Sequence, residues 1–99
     1  MVVDISLCKE IFEKDDYGNE KTAFLSRSLV AELLNVSRNE FFKARQDRLN
    51  AEFVVKIHWL DYQDEKIVEH NGKLYNVYRT YFDEENDIME LYLTERIEP

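Results

Sequence analysis

Chemistry in this chain would have to start from its histidines, its cysteine and its carboxylates. There are two histidines, His58 and His70, and one cysteine, Cys8. A metal site needs ligands that converge, and the two histidines fall in separate strand-like segments with no ligand spacing between them. His58 is expected on the polar side of its strand and His70 beside a turn, both as surface residues. Asp83, Glu84, Glu85 and Asp87 lack the glycine and the ligand order of a calcium-binding EF-hand loop, so they read as a solvated turn. Nucleophilic use of Cys8 would require a base and an electropositive setting. The nearby Lys9 and Glu10 cancel, and a thiol within a strand is ordinarily a small core hydrophobe. There is no glycine-rich phosphate loop and no nucleophile elbow. The expectation is a chain with no catalytic, cofactor-binding or metal-binding residues, and not an enzyme.

The tyrosines offer a different chemistry. Tyr75, Tyr78, Tyr81 and Tyr92 would suit a stacking platform for single-stranded nucleic acid if they lined a basic groove. Their neighbours are acidic, which favours cross-strand packing instead. Residues 1–50 carry eight basic and nine acidic side chains, and residues 51–99 carry five and twelve, so the net charge of −8 resides almost wholly in the second half. Affinity for a nucleic-acid backbone comes from lysine and arginine displacing counterions, and this half has the wrong sign. It suits a solvated face, a surface that sits beside DNA without holding it, or a mimic of DNA.

The elements that would position these residues can be read from periodicity. Ninety-nine residues, 44% of them hydrophobic, suffice for one domain, residues 1–99, with one modest core. A lone cysteine forms no intramolecular disulfide, no apolar run approaches the length of a membrane span, and no secretory signal opens the sequence. A strand is expected over residues 5–14, followed by a turn over residues 15–20. Residues 23–36 fit helical and alternating spacing alike, with the charge-poor run 28–34 favouring a strand. Ser37 and Glu40 have the spacing of a capping box, which starts a short helix at about residues 38–47. Phe41, Ala44, Arg45, Arg48 and Leu49 fall on one side of it. Arg38, Lys43, Arg45 and Arg48 make this segment the one locally basic stretch.

Strict alternation over residues 52–60 places Phe53, Val55, Ile57 and Trp59 on one apolar face. Asp61 to Glu65 reads as a loop. Asn71-Gly72 between two strand-like runs predicts a type I′ hairpin with His70 opposite Lys73 and Val68 opposite Tyr75. Residues 83–87 form a wider acidic turn, and Met89, Leu91, Leu93 and Ile97 alternate on the closing strand. The sum is a mainly β fold: a small antiparallel β-barrel of about six strands, joined largely by hairpins, with one short α-helix.

The order of several segments resembles that of the head–tail joining proteins (head closure or head–tail adaptor proteins) of long-tailed phages and prophages of Gram-positive bacteria. The segments are Asp15-Asp16-Tyr17-Gly18-Asn19, Val30-Ala31-Glu32, Val36-Ser37-Arg38-Asn39-Glu40-Phe41-Phe42-Lys43-Ala44, and the strand over residues 52–59. Asp61-Tyr62-Gln63-Asp64-Glu65, the run from Asn71 to Tyr81 and the run from Met89 to Glu95 complete the order. The resemblance spans about 90 residues. It implies a small β-barrel with one helix, assembling as a ring between the portal or adaptor end of the DNA-filled head and the tail. DNA would pass through the channel without sequence-specific binding, and a loop between strands would gate it. The expected location is the virion, at the head–tail interface, after synthesis in the bacterial cytoplasm, with portal or adaptor and tail proteins as partners and no membrane. The free subunit would be monomeric or self-associate on assembly. No site residue is carried over. The alternatives are an acidic DNA-mimic inhibitor of a host DNA-binding protein, and a tail-completion or minor tail protein.

Overall fold

The computed structural model describes residues 1–96. Six strands occur in the order β1 (Val2–Lys14), β2 (Glu20–Asn35), β3 (Ala51–His58), β4 (Ile67–His70), β5 (Lys73–Asp83) and β6 (Ile88–Glu95), with helix α1 (Arg38–Gln46) between β2 and β3. A single 3₁₀ turn, Trp59–Asp61, follows β3. All pairings are antiparallel, and the sheet closes on itself in the order β1-β2-β3-β6-β5-β4. The mainly β fold with one short helix is therefore present as the periodicity implies. The Ile97 position of the expected last strand lies outside the described residues.

Alternation builds the interior. Ile5 and Leu7 of β1, Ala31 of β2, Val55 and Ile57 of β3, Val68 of β4, Tyr75 of β5, and Leu91 and Leu93 of β6 form one buried cluster. Every strand contributes to it, β1, β3 and β6 at two-residue spacing as a pleated wall requires, and partly buried Leu29, Leu33 and Val77 continue the rows of β2 and β5. Leu7, Val55, Val68, Leu91 and Leu93 are the largest fully enclosed side chains, and truncating one to alanine typically costs about 2–5 kcal/mol.

The expected turns are in place, each with its own chemistry. At the β1–β2 turn, Asp15 Oδ1 accepts from the backbone N–H of Tyr17 and of Asn19 at 2.9 and 2.8 Å. Gly18 takes φ +81° there, which a side chain would strain. The β4–β5 hairpin pairs His70 with Lys73 and Val68 with Tyr75. Asn71 and Gly72 both have positive φ, 52° and 77°, the signature of a type I′ turn.

Residues 23–36, open between helix and strand, lie mostly in β2. Thirteen rungs to β1, from Val2↔Glu32 to Lys14↔Glu20, decide the matter. Both strands extend far beyond the closed sheet. β1 meets β4 only from Ser6 to Cys8, and β2 meets β3 only from Glu32 to Asn35. On the turn side of the seam, residues 9–14 and 20–25 pair only with each other, as a two-stranded ribbon.

One expectation about the third strand is corrected. Trp59 does not continue the inward row of Phe53, Val55 and Ile57, because the chain leaves the sheet after His58 and enters the 3₁₀ turn. Val54, on the opposite face, is buried. α1 lies against β3, so the outer wall is covered there too, and Ala44 and Ala51 are buried outside the interior cluster with it.

Candidate interaction surfaces

Ser37 caps α1, its Oγ accepting from the Glu40 N–H at 3.1 Å. The reciprocal half of the expected capping box goes elsewhere. Glu40 is drawn to the barrel wall, where Arg79 donates from Nε to Oε1 at 3.0 Å and from Nη2 to Oε2 at 2.7 Å. Tyr78 Oη donates to Oε1 at 2.7 Å. Neighbouring residues of a regular strand point to opposite faces. A bulge between Val77 and Arg79 breaks the register of β5 on β6, and Tyr78 and Arg79 both reach the helix side. The Arg79 guanidinium also stands 3.7 Å over the Tyr92 ring, a cation–π contact. Tyr78 and Tyr92 meet edge to face.

The electrostatics follow from this geometry. Hydrogen bonds from Arg79 hold the Glu40 carboxyl below its usual range, against the opposing effect of burial. Burial and the hydrogen bond to Glu40 push Tyr78 upward. Burial and the Glu90 carboxylate raise Tyr92 to about 12. These groups keep one protonation state across the physiological range, so the cluster is suited to holding α1 in place rather than to proton transfer.

A second lock fastens the loop after β3. Glu65, at the end of the stretch read from the sequence as a loop, is 3% exposed. Arg27, on β2, donates to its Oε2 from Nε and Nη2 at 3.1 and 2.6 Å, and to the Asp61 carbonyl at 2.6 Å. Gln63 N–H donates to Glu65 Oε1 at 2.7 Å, and Tyr62 Oη donates to the Glu65 carbonyl at 2.8 Å. Burial works to raise the Glu65 pKa, and the bonds from Arg27 and Gln63 outweigh it and hold the pKa low. Burial, with the charges of Asp64 and Glu65, lifts Tyr62 to about 12.

The other residues singled out by type are dispersed. His58 is exposed and its Nδ1 accepts from the Leu60 N–H, closing the 3₁₀ turn. His70 is only half exposed, its ring set edge to face against Phe53. Cys8 is buried, 3.6 Å from Ser26 Oγ. The four tyrosines divide: Tyr75 is in the core, Tyr78 and Tyr92 are in the helix lock, and Tyr81 is exposed. They form no common platform.

Exposed phenylalanine and tryptophan side chains occur in three places. Trp59 packs on Phe82, ring centroids 5.6 Å apart, with Leu60 and Tyr81 also exposed. The Trp59 N–H donates to the Asp87 carbonyl at 3.0 Å, so this patch adjoins the acidic turn. A shallow depression beside it is lined by Tyr81, Phe82, Asp83, Glu84 and Glu85. On α1, Phe41 and Phe42 are exposed and touch edge to face. On the ribbon, Phe12, Phe24 and Leu25 are exposed. Contiguous exposed aromatic side chains are what protein interfaces draw on, which makes such places candidates for contact. The basic stretch was legible in the sequence, but the aromatic patch was hidden, because Trp59 was assigned to the core.

Set against known proteins, the chain matches no protein-family model and no curated protein sequence.

Proposed function

We propose that the protein is a structural subunit of a phage virion, of the head-closure or head–tail connector kind, acting by assembly into a ring between the portal or adaptor and the tail. The observation that carries this reading is the closed, six-stranded antiparallel sheet with a single helix between β2 and β3, the fold implied by the family whose segment order the chain resembles. Two further features support it. A ring is built from heterologous contacts, which use two different faces of each subunit, and exposed aromatic groups occur on α1 and beside the β5–β6 turn. The second half of the chain is acidic, and a channel wall of that sign lets a DNA duplex slide past.

The alternative of an acidic DNA mimic needs carboxylates spaced along one exposed face. Glu40 and Glu65 are turned inward onto arginines, which takes two carboxylates out of any such face and weakens that reading. The deciding experiment incubates the purified protein with portal–adaptor rings from its own phage and examines them by sedimentation and electron microscopy. Added density at the adaptor end is expected, and rings that sediment without the protein would overturn the proposal.

A further inference from the structure

The aromatic patch beside the β5–β6 turn and the outer face of α1 are opposites in charge and alike in their apolar centres. Trp59, Leu60, Tyr81 and Phe82 are bordered by Asp83, Glu84 and Glu85. On α1, Glu40 and Ala44 are the buried positions and face the barrel. Helical spacing turns Arg38, Phe42 and Arg45 away from it and leaves Phe41 on its flank, and all four are exposed. Among the described residues, Arg38 and Arg45 make no ion pair, and neither do Asp83, Glu84 and Glu85. The two surfaces therefore carry uncompensated charge of opposite sign around exposed aromatic rings, and no hydrogen bond joins them within one chain among those residues.

We propose that the acidic aromatic patch of one copy docks on the outward face of α1 of a second copy. Phe42, the more exposed of the helix phenylalanines at 57%, enters the depression beside Tyr81 and Phe82. Arg38 and Arg45 meet the carboxylates of the turn. Complementary borders of this kind fix register and choose the partner. The contact joins two different surfaces, so it repeats head to tail, closing into a ring or continuing as a chain. It names the subunit interface of the proposed assembly and rests on that reading only for closure into a ring.

The test uses two charge-reversed proteins, R38E/R45E and E84K/E85K, studied by analytical ultracentrifugation at about 10 mM salt, where the Debye length is about 30 Å. All four positions are exposed, and unchanged circular dichroism and melting of both variants establish that they fold. Wild type is expected to self-associate, each variant alone to associate at least about tenfold more weakly, and an equimolar mixture of the two to regain association, because reversed and native borders then alternate. Phe42→Ser in the wild-type background should weaken association similarly without touching charge. Variants that associate as strongly as wild type, or a mixture that stays as weak as its components, would overturn the contact. Wild type that stays monomeric in solution yet still adds to portal–adaptor rings would also overturn it, while leaving the connector function intact.

Discussion

Arg79 and Glu40 meet through two parallel hydrogen bonds, of 3.0 and 2.7 Å, across the gap between the fifth strand and the helix. The pair is the covalent chain's substitute for a larger helix–barrel interface, since α1 buries only Glu40 and Ala44. Replacing Glu40 by glutamine keeps the shape and removes the charge. The expected loss is about 1–2 kcal/mol at neutral pH, toward the low end because Arg79 is 43% exposed. Urea titration followed by circular dichroism would measure it.

The same pair predicts a pH dependence. Glu40 in the folded protein titrates below its ordinary value of 4.5, so the unfolded chain binds the proton more readily. Its stabilising contribution is complete above that ordinary value and disappears as pH falls through the lowered one. Glu65 acts in the same sense. The stability gap between wild type and Glu40→Gln should be constant from about pH 7 to about pH 5 and should narrow below about pH 4. A gap that widens on acidification would contradict the assignment.

Arg27→Met should release the loop after β3, because it removes the three hydrogen bonds that hold Glu65 and the Asp61 carbonyl. Tyr62, raised to about 12 mainly by burial, should then titrate closer to its ordinary value of 10. Ultraviolet titration of phenolate would show the change. An unmoved Tyr62 would mean that the loop keeps its place without Arg27.

Gly72→Val places a β-branched residue at φ +77°. A Cβ there meets no other atom, so the whole effect is backbone strain. About 1–3 kcal/mol of stability should be lost, read as a lower urea midpoint.

How much of this was visible in the sequence depends on the range of the interaction that decides each feature. The Asn71-Gly72 hairpin is settled by two adjacent residues, and it was readable to the exact pairing. The helix start at Ser37 is equally local, yet the partner of Glu40 is set by a bulge in β5, 38 residues from Glu40 to Tyr78, and alternation carries no sign of it. Residues 23–36 were ambiguous because much of β2 lies in the ribbon, where neither face is fully buried and the two-residue signature is blurred. The burial of Glu65 leaves no local signal because Arg27, its partner, lies 38 positions earlier. Trp59 misled in the opposite way: it has the right phase for the core, but the strand ends one residue before it.

The ring of strands is completed by a short seam, Ser6 to Cys8 against Ile67 to Glu69, drawn from opposite halves of the chain. In time, that makes closure a late event: the β1–β2, β4–β5 and β5–β6 hairpins form from near neighbours, whereas the seam waits for a long loop to shut. Cys8→Ala, next to Ile67 on this seam, is accordingly expected to speed unfolding while leaving the folding limb of the denaturant chevron nearly unchanged. β1 thus gains its partner on one edge early and its partner on the other edge late.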